Sequence, residues 1–183
     1  LHALTGEDVQ RLPDNCFGSL EPRAKQVVLI FMDGTLYKLI GDIACRDPAF
    51  NKILDGAVVS MLTSQFPSNT VPHVTTMATG LTVAEHACAE WTIRLLEHGS
   101  PIKPFRNCDT DGVSLTKLGI PPSCYLPKES FYQKLSQKGL SSAVMSWDWM
   151  EQSPPNAWFY RGATFLGYKR PQDIEHLLPD FLT

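Results

Sequence analysis

Two residues in this chain have the type and setting for phosphoryl chemistry. One is Thr70, in Phe66-Pro67-Ser68-Asn69-Thr70-Val71-Pro72-His73, and the other is Asp33, in Ile30-Phe31-Met32-Asp33-Gly34. The stretch Phe66–Gly80 begins with turn formers and continues as a short helix, with Pro72 in the first turn and Gly80 just past the end. Thr70 therefore falls at or just before a helix N-terminus, where unpaired backbone N–H groups and the positive end of the helix dipole favour an anion. A threonine hydroxyl in that position has two uses. It is an ordinary N-cap, the commoner case for Ser, Thr, Asp and Asn, or it is a nucleophile facing a phosphate. Asp33 closes the apolar run Val27–Met32. At the C-terminal end of a buried parallel strand, where open α/β sheets place their ligands, a carboxylate is costly unless paired or bound to a metal. The alternative is that Asp33-Gly34 is a plain turn.

The elements that must carry these residues follow from patterning. Val27–Met32 is continuously apolar and rich in branched residues, which predicts a strand buried on both faces, and Ala57–Leu62 predicts a second. Residues 35–55 between them read as mainly helical, with Asp47-Pro48 starting a second piece. Residues 81–90 suggest a turn with a helical turn. The alternation of Trp91, Ile93 and Leu95 before His98-Gly99-Ser100 suggests a hairpin, with a helix over 89–97 the other option. Residues 106–127 carry Asn107, Asp109, Asp111, Gly112, Pro121 and Pro122 and read as a long loop of the kind that often forms a lid. Lys128–Gly139 is a helix, Ser141–Trp147 a strand, residues 148–157 with Pro154-Pro155-Asn156 another loop, Phe159–Tyr168 contains another strand, and Pro171–Leu178 starts a final helix. Repeated strand–turn–helix units predict a three-layer α/β/α domain with a mostly parallel central sheet over residues 25–183. Residues 1–24 form a polar leader with one short helix near Thr5–Arg11, and the sheet is expected to be incomplete at the C-terminus.

Composition limits the alternatives. The 183 residues suffice for one domain with a sizeable core, and 43% hydrophobic against 19% charged content is that of a globular protein. A net charge of −3 with no basic, aromatic-interleaved cluster argues against a nucleic-acid surface. No apolar run nears the roughly 20 residues that span a bilayer, and no signal-peptide pattern opens the chain, which leaves its compartment open. The five cysteines form no Cys-x-x-Cys pair, so reduced thiols are expected rather than a zinc or disulfide framework.

The string Val28-Leu29-Ile30-Phe31-Met32-Asp33-Gly34-Thr35-Leu36 resembles the first motif of the haloacid dehalogenase phosphatases, Asp-x-Asp-Gly-Thr. The nucleophilic aspartate of that motif is replaced by Phe31, which cannot attack phosphorus. More of the chain resembles the nucleotide pyrophosphatase/phosphodiesterase branch of the alkaline phosphatase superfamily. The matching pieces, in order, are Met32-Asp33-Gly34, Phe66-Pro67-Ser68-Asn69-Thr70, Ala78-Thr79-Gly80-Leu81 and Ala84-Glu85-His86, followed by Arg161-Gly162-Ala163 and Gly167-Tyr168. The resemblance covers roughly residues 26 to 180 and implies an alkaline-phosphatase-like fold acting on a phosphodiester or nucleotide. It implies two divalent metal ions, of the zinc type. Asp33 would ligate one of them. Thr70 would both ligate a metal and attack phosphorus, giving a phospho-enzyme that water hydrolyses.

Three departures stand beside it. His73 occupies the place of an asparagine that binds a phosphate oxygen, and it would either replace that donor or serve in packing. His86-Ala87 replaces His-Gly, altering a backbone position that favours glycine, and His86 is expected to be structural rather than a ligand. The remaining metal ligands, an Asp-x-x-x-His and an Asp-His-Gly, are missing from the chain. Two ligands cannot hold a zinc pair in which each ion takes about four. The expectation is therefore either the N-terminal portion of a larger enzyme, inactive by itself, or a non-catalytic binding domain of the same fold.

Overall fold

The computed structural model describes residues 16–18 and 23–182, with side-chain surroundings defined through residue 179. The leader helix expected near Thr5–Arg11 lies outside the described residues. The chain divides into two compact units, Leu1–Thr63 and Ser64–Thr183.

In the first unit α1 (Tyr37–Arg46) packs on α2 (Pro48–Leu54), the two helical pieces that the sequence predicts. Asp47 separates them and caps α2: its Oδ1 accepts from the N–H groups of Ala49 at 2.8 Å and Phe50 at 3.2 Å, and Pro48 takes the first helical position. Neither helix buries a residue. The strands expected at Val27–Met32 and Ala57–Leu62 do not form. Branched apolar composition makes a run suited to a pleated surface, but a strand exists only where a neighbour supplies the ladder bonds. Neither run has such a partner among the described residues, and Ile30 and Met61 remain 76% and 75% exposed.

The second unit contains the core. Val71, Ala78, Cys88, Ile102, Leu115, Tyr125, Leu126 and Phe159 form one buried cluster, which Phe105 joins edge-on to Phe159 at 5.6 Å between ring centroids. The cluster is assembled from α3 (Thr70–Thr79), Cys88 just after the one-turn α4 (Val83–His86), a small antiparallel sheet, the 106–127 segment and α6 (Pro154–Phe159). That sheet has the order β1 (Ile93–Arg94), β2 (Pro101–Lys103), β3 (Cys108–Asp109), so the hairpin forms rather than the helix over 89–97. Cys88 donates its S–H to the Tyr125 carbonyl at 3.3 Å, and burial pushes its thiol up to about 11, which makes it inert. Cys45, Cys108 and Cys124 are also free thiols, as expected.

The long 106–127 segment is not a lid. Leu115 is fully buried and Tyr125 and Leu126 nearly so, because the apolar residues between the turn formers close one side of the core. Asp109 is used inside its own turn, where Oδ1 accepts from the N–H groups of Asp111 and Val113 at 2.9 and 2.8 Å.

Parallel pairing is present, but in a two-stranded sheet. β4 (Ala143–Trp147) runs parallel to β5 (Thr164–Tyr168), in register from Ala143↔Thr164 to Trp147↔Tyr168, with α6 in the crossover. The fold is thus mixed α and β with a small parallel sheet, and a mostly parallel central sheet in three layers is not formed by the described strands. α5 (Phe131–Gln137) begins at a capping box in which Ser130 Oγ accepts from Gln133 N–H at 3.1 Å and Gln133 Oε1 accepts from Ser130 N–H at 3.0 Å. Ser130 also donates to the Arg161 carbonyl at 2.7 Å, and the Arg161 guanidinium lies over the Trp158 ring while donating to the Lys128 carbonyl. The Arg161-Gly162-Ala163 motif is therefore a docking point between the end of α6 and the start of α5. The last helix, α7 (Ile174–Leu182), follows a short 3-10 turn at Pro171–Asp173.

Candidate functional site around Thr70

Thr70 is the first residue of α3, and it is half-buried. Asn69 is the helix cap: its backbone is extended and its Oδ1 accepts from Val71 N–H at 3.0 Å. Sequence reasoning placed a cap or a nucleophile at Thr70 and missed Asn69, although asparagine directly before a helix start is itself a cap signal. The helix ends where predicted, with Gly80 in the left-handed region and its N–H on the Thr76 carbonyl at 2.7 Å. One face of α3 is anchored in the core through Val71, Pro72, Thr75, Ala78 and Thr79. The buried hydroxyls bond back along the helix, Thr75 to the Val71 carbonyl and Thr79 to the Thr75 carbonyl, so neither is left unsatisfied.

His73 lies one turn further on, and both ring nitrogens are engaged. Nδ1 is 2.6 Å from the Asn69 carbonyl, and Nε2 accepts from Gln65 N–H at 3.0 Å. His86 is nearly fully buried, with Nδ1 accepting from Cys88 N–H at 3.0 Å and Nε2 3.2 Å from Thr76 Oγ1. Burial holds its pKa below the ordinary imidazole value, and the Pro72 carbonyl works in the opposite direction. His86 is thus a structural residue of the helix's surroundings.

The altered position after His86 is visible in the backbone. Ala87 has φ +58° and ψ 4°, in the left-handed region where a β-carbon costs about 1–2 kcal/mol. Ala87→Gly is expected to stabilise the protein by about 0.5–1 kcal/mol after the greater unfolded-state freedom of glycine is offset. The check is a higher thermal midpoint, and a lower one would show that Ala87 carries no strain.

Asp33 belongs to the first unit, exposed in the Asp33-Gly34 turn with no paired strand before it. Among the described residues, no three His, Cys, Asp or Glu side chains gather to hold a metal ion. The donor set among the described residues does not by itself fit a zinc pair. No described helix is long and apolar enough to cross a membrane.

The family model for type I phosphodiesterase / nucleotide pyrophosphatase matches residues 27–178, and the chain belongs to that family. Comparison with curated proteins and with solved structures gave no match.

Proposed function

We propose that this protein serves as a phosphodiester hydrolase or nucleotide pyrophosphatase in which Thr70 is the attacking residue. Membership of the family supports the coarse activity. The observation that carries the role of Thr70 is that Asn69, not Thr70, caps α3. The threonine is thereby not needed as the cap, and it sits among the first N–H groups of a ten-residue helix, where a phosphate anion is favoured. In the proposed reaction Thr70 Oγ forms a bond to phosphorus as the bond to the alcohol or nucleotide leaving group breaks, the hydroxyl proton leaving with that group, and water then cleaves the threonine–phosphorus ester to release the remaining phosphate monoester. Val71 N–H is taken by the Asn69 cap and Pro72 has no N–H, so what the first turn offers a phosphate is the positive end of the helix dipole.

Two divalent metal ions, zinc by the family resemblance, are the expected cofactors, with Asp33 and Thr70 as ligand positions. Because the donor set of this chain does not complete such a site, no step is assigned to them. A three-layer alkaline-phosphatase-like domain is the fold in which this arrangement would work, and a small-molecule phosphodiester the substrate class. His73 is proposed as a brace rather than a substrate contact, since both of its nitrogens are already engaged.

A second reading is a non-catalytic binding domain of the same family. The experiment that separates the two is acid quenching of the whole gene product during turnover of an aryl phosphodiester. A phosphoryl group on the peptide containing Thr70 is expected. Turnover with the label elsewhere overturns Thr70 as nucleophile, and no turnover at all favours the binding domain.

A further inference from the structure

We propose that His86, Thr76, Gln65 and His73 form a hydrogen-bond chain of fixed direction that positions Asn69, and through it the Thr70 hydroxyl. The direction follows from two backbone N–H groups that can only donate, Cys88 N–H at the start of the run through His86 and Thr76 to the Gln65 side chain, and Gln65 N–H at the start of the run through His73 to Asn69. Cys88 N–H donates to His86 Nδ1, so the ring proton of His86 is on Nε2, where Thr76 Oγ1 at 3.2 Å and the Pro72 carbonyl are its acceptors. The Thr76 hydroxyl passes its own proton to Gln65 Oε1 at 3.1 Å. Gln65 N–H donates to His73 Nε2, so the His73 proton is on Nδ1 and is donated to the Asn69 carbonyl at 2.6 Å.

Two neutral imidazoles in opposite tautomers are therefore built into the two sides of α3. A second proton on either ring would set donor against donor, Cys88 N–H facing one and Gln65 N–H the other. The charged groups near His86 are Glu85, whose carboxylate accepts from the Thr82 N–H and hydroxyl, and Lys134, whose ammonium donates to the Thr79 carbonyl. Neither makes a hydrogen bond to the chain.

The chain ends on the residue that precedes the proposed nucleophile. Asn69 is held at three atoms: its carbonyl by His73, its Oδ1 by Val71 N–H, and its Nδ2 on the Ala89 carbonyl at 3.3 Å. The Asn69 carbonyl belongs to the same planar peptide as the Thr70 nitrogen, so fixing one orients the other. His73, Gln65, Thr76 and His86 are positioning residues, and none needs to touch substrate. Their effect on turnover rests on Thr70 being the attacking residue, whereas the bond chain itself does not.

The test begins with proton–nitrogen correlation spectra of the histidine rings in the unmodified chain at neutral pH. His73 is expected as the Nδ1–H tautomer and His86 as the Nε2–H tautomer. Thr76→Val, which removes the hydroxyl at nearly constant shape, is expected to shift the backbone amides of Gln65 and Thr70, and Thr76→Ser to restore them. In the whole gene product Thr76→Val is expected to lower kcat about ten-fold with KM little changed, and Thr76→Ser to recover it. Identical tautomers for the two rings, or Gln65 and Thr70 amides unmoved by Thr76→Val, overturn the proposal. The stated tautomers and amide shifts together with full turnover in Thr70→Ala support the chain and remove only the role of Thr70.

Discussion

Replacing Thr70 by alanine is expected to lower turnover of an aryl phosphodiester by about 10⁴-fold or more in the whole gene product, as loss of a covalent nucleophile does elsewhere. The fold should survive, because the cap of α3 is the Asn69 side chain and the core contacts of the helix come from Val71, Pro72, Thr75, Ala78 and Thr79. Alanine is also a better helix former than threonine. Thr70→Ser keeps the hydroxyl and should retain a measurable part of the activity, which distinguishes loss of the attacking oxygen from loss of packing. Circular dichroism and a thermal midpoint near that of the parent would accompany the kinetic loss. Parent-like kcat in Thr70→Ala would remove the threonine from the reaction altogether.

Gly162→Ala should do the reverse, reducing stability strongly by a route that involves no reacting group. Gly162 has φ +93°, and a β-carbon built there would lie 2.8 Å from both Cα and N of Gln133 and 2.9 Å from the carbonyl carbon of Tyr132. All three are backbone atoms at the start of α5, so no rotamer change relieves the clash. An unfavourable backbone region costs about 1–2 kcal/mol and forced displacement of packed elements about 1–3 kcal/mol, giving a loss of roughly 2–5 kcal/mol. Against the 5–15 kcal/mol of an ordinary domain this is a large fraction, visible in urea or thermal unfolding. A parent-like midpoint would show that α5 and the Arg161–Gly162 corner are not locked together. The same substitution tests how the Arg161-Gly162-Ala163 motif is used, since a structural corner predicts damage to stability before any damage to catalysis.

Local signals were legible wherever the physics is local. Asp47-Pro48 announces a capped helix start and delivers one, and Ser130 with Gln133 closes a capping box inside the predicted Lys128–Gly139 helix. Gly80 and Gly139 stand in the left-handed conformation that a helix stop requires. The position after His86, flagged because glycine was missing, has the φ that glycine would favour. The cap at Asn69 was misplaced by one residue, since Asn69 and Thr70 both belong to the capping class and only the backbone angles separate them.

What sequence alone determined about this protein is the family, the helix that begins at Thr70, and the strands within Ser141–Trp147 and Phe159–Tyr168, whereas the helix Pro154–Phe159 between them falls where a loop is expected. These rest on short-range order of residue types, which a chain cannot hide. Only the tertiary structure decided the rest. Val27–Met32 and Ala57–Leu62 have strand composition, but ladders are made between segments, and composition within one segment cannot supply a partner. The 106–127 segment has the residues of a loop, yet Leu115, Tyr125 and Leu126 close the core, because burial depends on what lies opposite in space. In the sequence His73 reads as a phosphate donor or a packing residue and His86 as a structural one, with no bonding partner named for either. Their bonds to Gln65, Asn69, Thr76 and Cys88 join positions as far apart as Gln65 and Cys88, and only folding brings those donors and acceptors within reach.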